Sequence, residues 1–198
     1  EALAEIEKVL AEKDIPMLDS PITGGVQRAW DKDITVIASG PQALYDEIEP
    51  FLRSFARDIH YVGDKVGEAQ IAKICNNMLL GISMIGTAEA FMLGEKLGLD
   101  AQTFFDISST ASGQCWSMTS YCPAPGPVPS SPANNDYQAG FTAAMMLKDL
   151  MLAQEASSSA EASTPMGQRA AELYTQMAEA GHDGLDFSGI MKMLKGEG

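Results

Sequence analysis

The sequence predicts an α/β segment over residues 1–63 followed by an all-α segment over residues 64–198, the second led by one long helix. Three observations predict it. Helical and strand patterns alternate up to residue 63. Strand signals then vanish. An apolar stretch over residues 66–97 runs far longer than a strand.

The elements follow in order. Leu3, Ile6, Val9 and Leu10 recur at helical spacing. The chain opens inside that pattern, on Glu1-Ala2-Leu3-Ala4-Glu5-Ile6 with no capping residue before it, as a chain truncated at its N-terminus would. The apolar run over residues 15–19 leads into Ser20-Pro21-Ile22-Thr23-Gly24-Gly25, a strand entering a turn. Ile34-Thr35-Val36-Ile37-Ala38 is β-branched and stops at Ser39-Gly40, which predicts a strand. Residues 41–55 start on a proline and place apolar residues at Leu44, Ile48, Phe51, Leu52 and Phe55, which suits a helix. Ile59-His60-Tyr61-Val62-Gly63 is the third strand, giving the order α-β-β-α-β. At about 1.5 Å per residue, a helix over residues 66–97 is roughly 45 Å long, with Gly98 as its C-terminal stop. Further helices fit residues 101–109, 115–121, 142–162, 165–180 and 187–194. Residues 122–135 contain five prolines and predict an extended loop.

Composition narrows the function. Hydrophobic residues make up 45% and charged residues 20%, enough for an ordinary packed core. The formal charge is -14, and no basic stripe exists to neutralise phosphates, which argues against nucleic acid and against an anionic membrane surface. The polar residues Lys73, Asn76, Asn77 and Glu89 argue against a membrane span in the long helix. Three cysteines, Cys75, Cys115 and Cys122, make no disulfide framework and point to a reducing compartment, with a Cys115–Cys122 bridge left open. His60 and His182 stand alone, so no metal site is expected. Gly-x-Ser-x-Gly is missing, and no Ser/His/Asp arrangement is recognisable.

The chemistry rests on a few polar residues. Lys73 and Asn77 interrupt the long apolar helix at i,i+4, one turn apart on one face, while Asn76 points elsewhere. A lysine in such a stretch must snorkel, pair or line a cavity. From pattern alone, a solvent-exposed lysine near the helix start is the favoured reading. Gly24-Gly25 would let backbone approach an anion closely, though an ordinary turn explains the pair as well. Lys148-Asp149 reads as a solvated helix face.

A family resemblance changes these weights. The segment Gly67-Glu68-Ala69-Gln70-Ile71-Ala72-Lys73-Ile74-Cys75-Asn76-Asn77 resembles the catalytic helix of the β-hydroxyacid dehydrogenase family, and of its 3-hydroxyisobutyrate dehydrogenases in particular. The resemblance extends over essentially the whole chain and is strongest over residues 66–149. It implies that residues 1–63 are the C-terminal part of a Rossmann-type NAD-binding domain. Residues 64–198 are then a helical substrate and dimerisation domain. Lys73 becomes the catalytic residue, and Asn77 helps hold the substrate. Asp19-Ser20-Pro21-Ile22-Thr23-Gly24-Gly25 resembles the family's substrate-carboxylate turn, which places Thr23, Gly24 and Gly25 on the substrate. Ser112-Gly113-Gln114-Cys115-Trp116-Ser117 resembles the side-chain pocket. Trp116 and Phe141 are its candidate walls or, equally, core aromatics. The stretch leading to Met146-Leu147-Lys148-Asp149-Leu150 places Lys148 by the nicotinamide.

Three features depart from the family pattern. Thr23 replaces serine, Ala69 replaces a common glycine, and Gly-x-Gly-x-x-Gly is nowhere in the chain.

The implied reaction is reversible NAD-dependent oxidation of 3-hydroxyisobutyrate to methylmalonate semialdehyde, in valine degradation, with NADP also open as cofactor. Lys73 would serve as general base in oxidation and general acid in reduction. For base duty its amine must be neutral, which loss of water or the positive charge of Lys148 or the oxidised nicotinamide would favour. Related semialdehyde reductases, or a helical oligomerisation module inactive on its own, are the alternatives. The expected partners are a small hydroxy acid and a second copy of the chain. The expected compartment is the cytoplasm in a bacterium and the mitochondrial matrix in a eukaryote.

Overall fold

The computed structural model describes residues 2–197, apart from the side chains of Ala2, Val26 and Gln27. The elements run in order: helix α1 (Ala2–Ala11), strand β1 (Ile22–Thr23), helix α2 (Gly25–Trp30), strand β2 (Ile34–Ser39), helix α3 (Gln42–Leu52), strand β3 (Ala56–Gly63) and helix α4 (Glu68–Lys96). Helices α5 (Ala101–Ser108), α6 (Trp116–Thr119), α7 (Ala143–Ser159), α8 (Pro165–Glu179) and α9 (Ile190–Lys195) follow. Short 3-10 turns lie at Pro132–Asn134 and Phe187–Gly189. The expected class holds: a small sheet with helices, then helices alone among the described residues. By compactness the chain divides into residues 1–76 and 77–198, with the division inside α4.

In the first unit β2 is the central strand. It pairs parallel with β3, from Ile34 opposite Ala56 to Ser39 opposite Gly63, and antiparallel with β1. Helix α3 is the crossover that a parallel pair requires. Its fold-facing Leu52 joins Ile34, Val36 and Ala56 in a small core, against which Leu18, Tyr45, Ile48 and Phe55 pack. Two expectations change here. The order is α-β-α-β-α-β, because the six residues after Gly24 coil into α2, too short to show a period. The run over residues 15–19 is not a strand; only Asp19 bridges, to Ser39.

The second unit is built on a larger core that includes Met84, Ala88, Phe91, Met146, Leu150, Tyr174, Met177, Phe187 and Ile190. Helical spacing explains the membership: Met146, Asp149, Leu150 and Ala153 form one stripe of α7. Leu173, Tyr174 and Met177 form one stripe of α8. Thr142 caps α7 by accepting the Met145 N–H at 3.2 Å. Gly98 does end α4. The Leu99 N–H reaches back to the Gly94 carbonyl and the Gly98 N–H to that of Glu95, at 2.9 and 3.0 Å, the paired bonds of a left-handed stop. The helix expected at residues 115–121 shrinks to the single turn α6.

One compositional reading holds and another needs correction. All three cysteines are free thiols, so no Cys115–Cys122 bridge forms. By length and composition alone α4 could cross a membrane, with an 18-residue window of mean hydropathy 1.3. Lys73 and Glu89 are too sparse to offset the apolar residues around them. Within the protein the same window is 39% buried, and its apolar side chains Met84, Ile85 and Ala88 serve the core.

Candidate active site

The first unit holds the N-terminal end of α4 against the sheet. The Ser39 hydroxyl, at the C-terminal end of β2, accepts the Ala69 N–H at 3.0 Å, capping the helix from another element. One residue on, Gln70 donates its side-chain amide to the Asp19 carboxylate at 2.8 Å. Asp19 is itself buried, and its backbone exchanges two bonds of 2.8 Å with Ser39. Its other carboxylate oxygen is buried without a protein partner among the described residues. These bonds anchor the first turn of α4. Gln70, Lys73 and Asn77 fall at i, i+3 and i+7, on one helical face. The Lys73 side chain is half-buried there. Ala69 is fully buried.

Thr23 ends β1, and Gly24 and Gly25 have φ of 139° and 74°. Both values lie in the region where a side chain is strained, so this turn belongs to glycine. A Cβ on Gly24 would also stand 3.3 Å from Ile34 and from Arg28.

In the second unit Asn77 is buried, 7% exposed, and donates its amide to Asp149 on α7 at 2.6 Å. Asp149 is equally buried. Lys148 beside it is exposed over 65% of its side chain, with its ammonium 3.3 Å from the other Asp149 oxygen. The solvated-face reading of Lys148-Asp149 therefore holds for the lysine and fails for the aspartate. The missed signal was the apolar stripe of α7, which runs through position 149.

Trp116 and Phe141 belong to one row of rings. Trp116 stacks on Tyr121 at 4.9 Å, Tyr121 on Phe187 at 5.4 Å, and Phe187 meets Phe141 edge-on at 5.7 Å. Trp116 keeps 47% of its surface exposed, and Phe141 is half-buried. The row thus ends on an accessible aromatic face. Burial, then the nearby Asp186, pushes the Tyr121 hydroxyl far above the usual tyrosine range. It stays a neutral donor. An open groove of about 560 Å³ lies elsewhere, between α7 and α8, lined by Met151, Gln154, Gln168, Glu172 and Thr175. None of the expected site residues lines it.

Residues 67–194 match the family model described as NAD-binding of NADP-dependent 3-hydroxyisobutyrate dehydrogenase. The chain belongs to the 3-hydroxyisobutyrate dehydrogenase family. Residues 1–63 match a second model, the NAD binding domain of 6-phosphogluconate dehydrogenase. A probable 3-hydroxyisobutyrate dehydrogenase of Mycobacterium tuberculosis is 41% identical over 191 residues, covering 96% of this chain and 64% of that protein. The 3-hydroxyisobutyrate dehydrogenase of Pseudomonas aeruginosa is 41% identical over 199 residues, covering all of this chain and 66% of that one. A solved structure described as Mycobacterium tuberculosis 3-hydroxyisobutyrate dehydrogenase with L-serine superposes with a TM-score of 0.92 at 41% identity, over 98% of this chain and 66% of that chain. The chain therefore spans just under two thirds of the length of these relatives.

Proposed function

We propose that this chain is the substrate-binding and proton-transferring part of an NAD(P)-dependent 3-hydroxyisobutyrate dehydrogenase. The observation that carries the reading is family membership over the segment holding Lys73, Asn77 and Lys148. The site geometry supports it: an amide aimed by a buried carboxylate, a glycine turn with open backbone and a half-exposed aromatic row.

Lys73 is the general acid/base. In oxidation its neutral amine takes the hydroxyl proton of the substrate as the C–H bond of the carbinol carbon breaks; in reduction its ammonium returns that proton to the carbonyl oxygen. A bound nicotinamide supplies hydride transfer. Lys148, exposed but tethered beside Asp149, fits the nicotinamide end of such a cofactor as a mobile cation. Asn77 cannot rotate its amide without breaking the 2.6 Å bond to Asp149, so it is held fixed to orient the substrate or Lys73. Thr23, Gly24 and Gly25 hold the substrate carboxylate through the threonine hydroxyl and the glycine N–H groups. Trp116 and Phe141 wall the pocket for the substituent on the carbon next to that carboxylate. L-Serine, named with the similar mycobacterial structure, is also a 3-hydroxy acid and is the second substrate to assay.

Lys73→Ala, made in the full-length protein, is expected to retain NADH binding and lose on the order of 10²–10⁴ in kcat. Turnover at the parent rate would overturn the assignment.

A further inference from the structure

Asp186 is fully buried and immediately precedes the 3-10 turn Phe187–Gly189. Its two oxygens do different jobs. Oδ1 accepts the Ser188 N–H at 3.0 Å and the Ser188 hydroxyl at 2.6 Å, which is all that capping the turn requires. Oδ2 accepts three more donors from distant parts of the chain: the Tyr121 hydroxyl at 2.8 Å and the N–H groups of Gly140 and Phe141 at 3.0 and 3.1 Å. Capping explains the first oxygen and leaves the second unexplained. With five donors the carboxylate is saturated. Two of the three donors on Oδ2 belong to the aromatic row, and the third, Gly140, adjoins it along the chain: Tyr121 lies between Trp116 and Phe187, and Phe141 closes the far end. Gly140 supplies the space. A Cβ there would stand 2.9 Å from the Tyr121 hydroxyl oxygen, although the φ of Gly140 lies outside the left-handed region. Its missing side chain is thus a matter of room, not backbone.

We infer that Asp186 is a positioning residue that sets the width of the substrate side-chain pocket, by clamping the Tyr121 hydroxyl and the Gly140–Phe141 backbone onto one carboxylate oxygen. The inference rests on the reading of Trp116 and Phe141 as walls of that pocket. Loosening the clamp widens the pocket and blunts discrimination between a methyl and a bulkier substituent on the 3-hydroxy acid. It leaves the proton transfer at Lys73 alone.

The test uses the full-length protein with Trp30→Phe, so that Trp116 is the only tryptophan of this chain. Tyr121→Phe, Gly140→Ala, their double variant and Asp186→Asn are compared by Trp116 emission. They are also compared by kcat and KM for 3-hydroxyisobutyrate and a bulkier 3-hydroxy acid. Gly140→Ala is expected to shift the emission and raise KM by on the order of tenfold, with kcat less affected. The double variant is expected to return both readings to those of Tyr121→Phe, because the oxygen that the new methyl strikes is gone. Asp186→Asn is expected to shift the emission and narrow the KM difference between the two acids. Unchanged emission in Gly140→Ala, or single effects that simply add in the double variant, would overturn the inference. If Asp186→Asn fails to fold, the rescue decides. A parent protein inactive on every 3-hydroxy acid defeats the functional reading, while the emission rescue still decides the clamp.

Discussion

Asn77 spends part of its amide on a buried carboxylate, and this makes it costly to remove for reasons unrelated to catalysis. Asn77→Ala strips Asp149 of a donor at 2.6 Å while the carboxylate stays buried. An orphaned buried acceptor costs about 1–3 kcal/mol. Urea unfolding should show that loss, and Asn77→Ala combined with Asp149→Ala should lose less than the two singles summed, because the pair is coupled. A midpoint equal to the parent's would contradict it. At this scale the sequence was partly legible. Spacing put Lys73 and Asn77 on one helical face, but only the family resemblance gave them a role, and position 149 lay in the stripe with Met146, Leu150 and Ala153. Asp186 sent no signal, because its partners at positions 121, 140 and 141 are far away along the chain.

At the scale of elements, the start of α4 depends on a hydroxyl from β2. Ser39→Ala removes the acceptor for the Ala69 N–H, the role an N-cap side chain plays, and should destabilise the first unit by about 0.5–2 kcal/mol. A thermal melt of Ser39→Ala beside Ser39→Thr checks this: threonine keeps the acceptor and should recover part of the loss, whereas equal midpoints for all three proteins would refute the cap. The same helix was legible from the sequence in both extent and end, because its apolar length and Gly98 are local signals. Helix α2 was not. Its six residues make fewer than two turns and end in a Trp30 that is 80% exposed, too short a stretch to imprint a period on the sequence. The antiparallel pairing of β1 was equally hidden, since two residues cannot show alternation.

Across the molecule, the second unit buries groups that must stay uncharged. Burial holds the Tyr137 hydroxyl up at about 12 and the Cys122 thiol at about 11, and it raises Tyr121 and Tyr174 well above the usual tyrosine range. In the unfolded chain these groups ionise near their ordinary values, about 10 for tyrosine and 8.5 for cysteine. Above those values the unfolded state binds fewer protons than the folded one, so stability falls as pH rises. The contribution is intact below about pH 8 and is lost progressively as pH climbs through the folded values. Urea midpoints measured from neutral to alkaline pH should decline across that window, and Tyr137→Phe should flatten the decline. A midpoint flat to pH 12 would contradict it. Fold class was the most legible property at this scale, because alternating patterns and their disappearance after residue 63 survive errors in single elements.

The five-proline stretch has a consequence of a different kind. Composition suggests an extended loop, yet Cys122, Ala124, Val128 and Ala133 are buried in the core. The chain there is stitched to itself: the Ser131 hydroxyl donates to the Cys122 carbonyl at 2.5 Å, the Tyr137 hydroxyl to the Pro123 carbonyl at 2.7 Å, and the Asn134 amide to the Val128 carbonyl at 2.8 Å. Each stitch counts residues. One residue inserted or deleted between 122 and 137 would put every later bond out of step. The loop can therefore trade side chains at its exposed prolines through evolution while its length stays fixed, the reverse of how surface loops usually diverge.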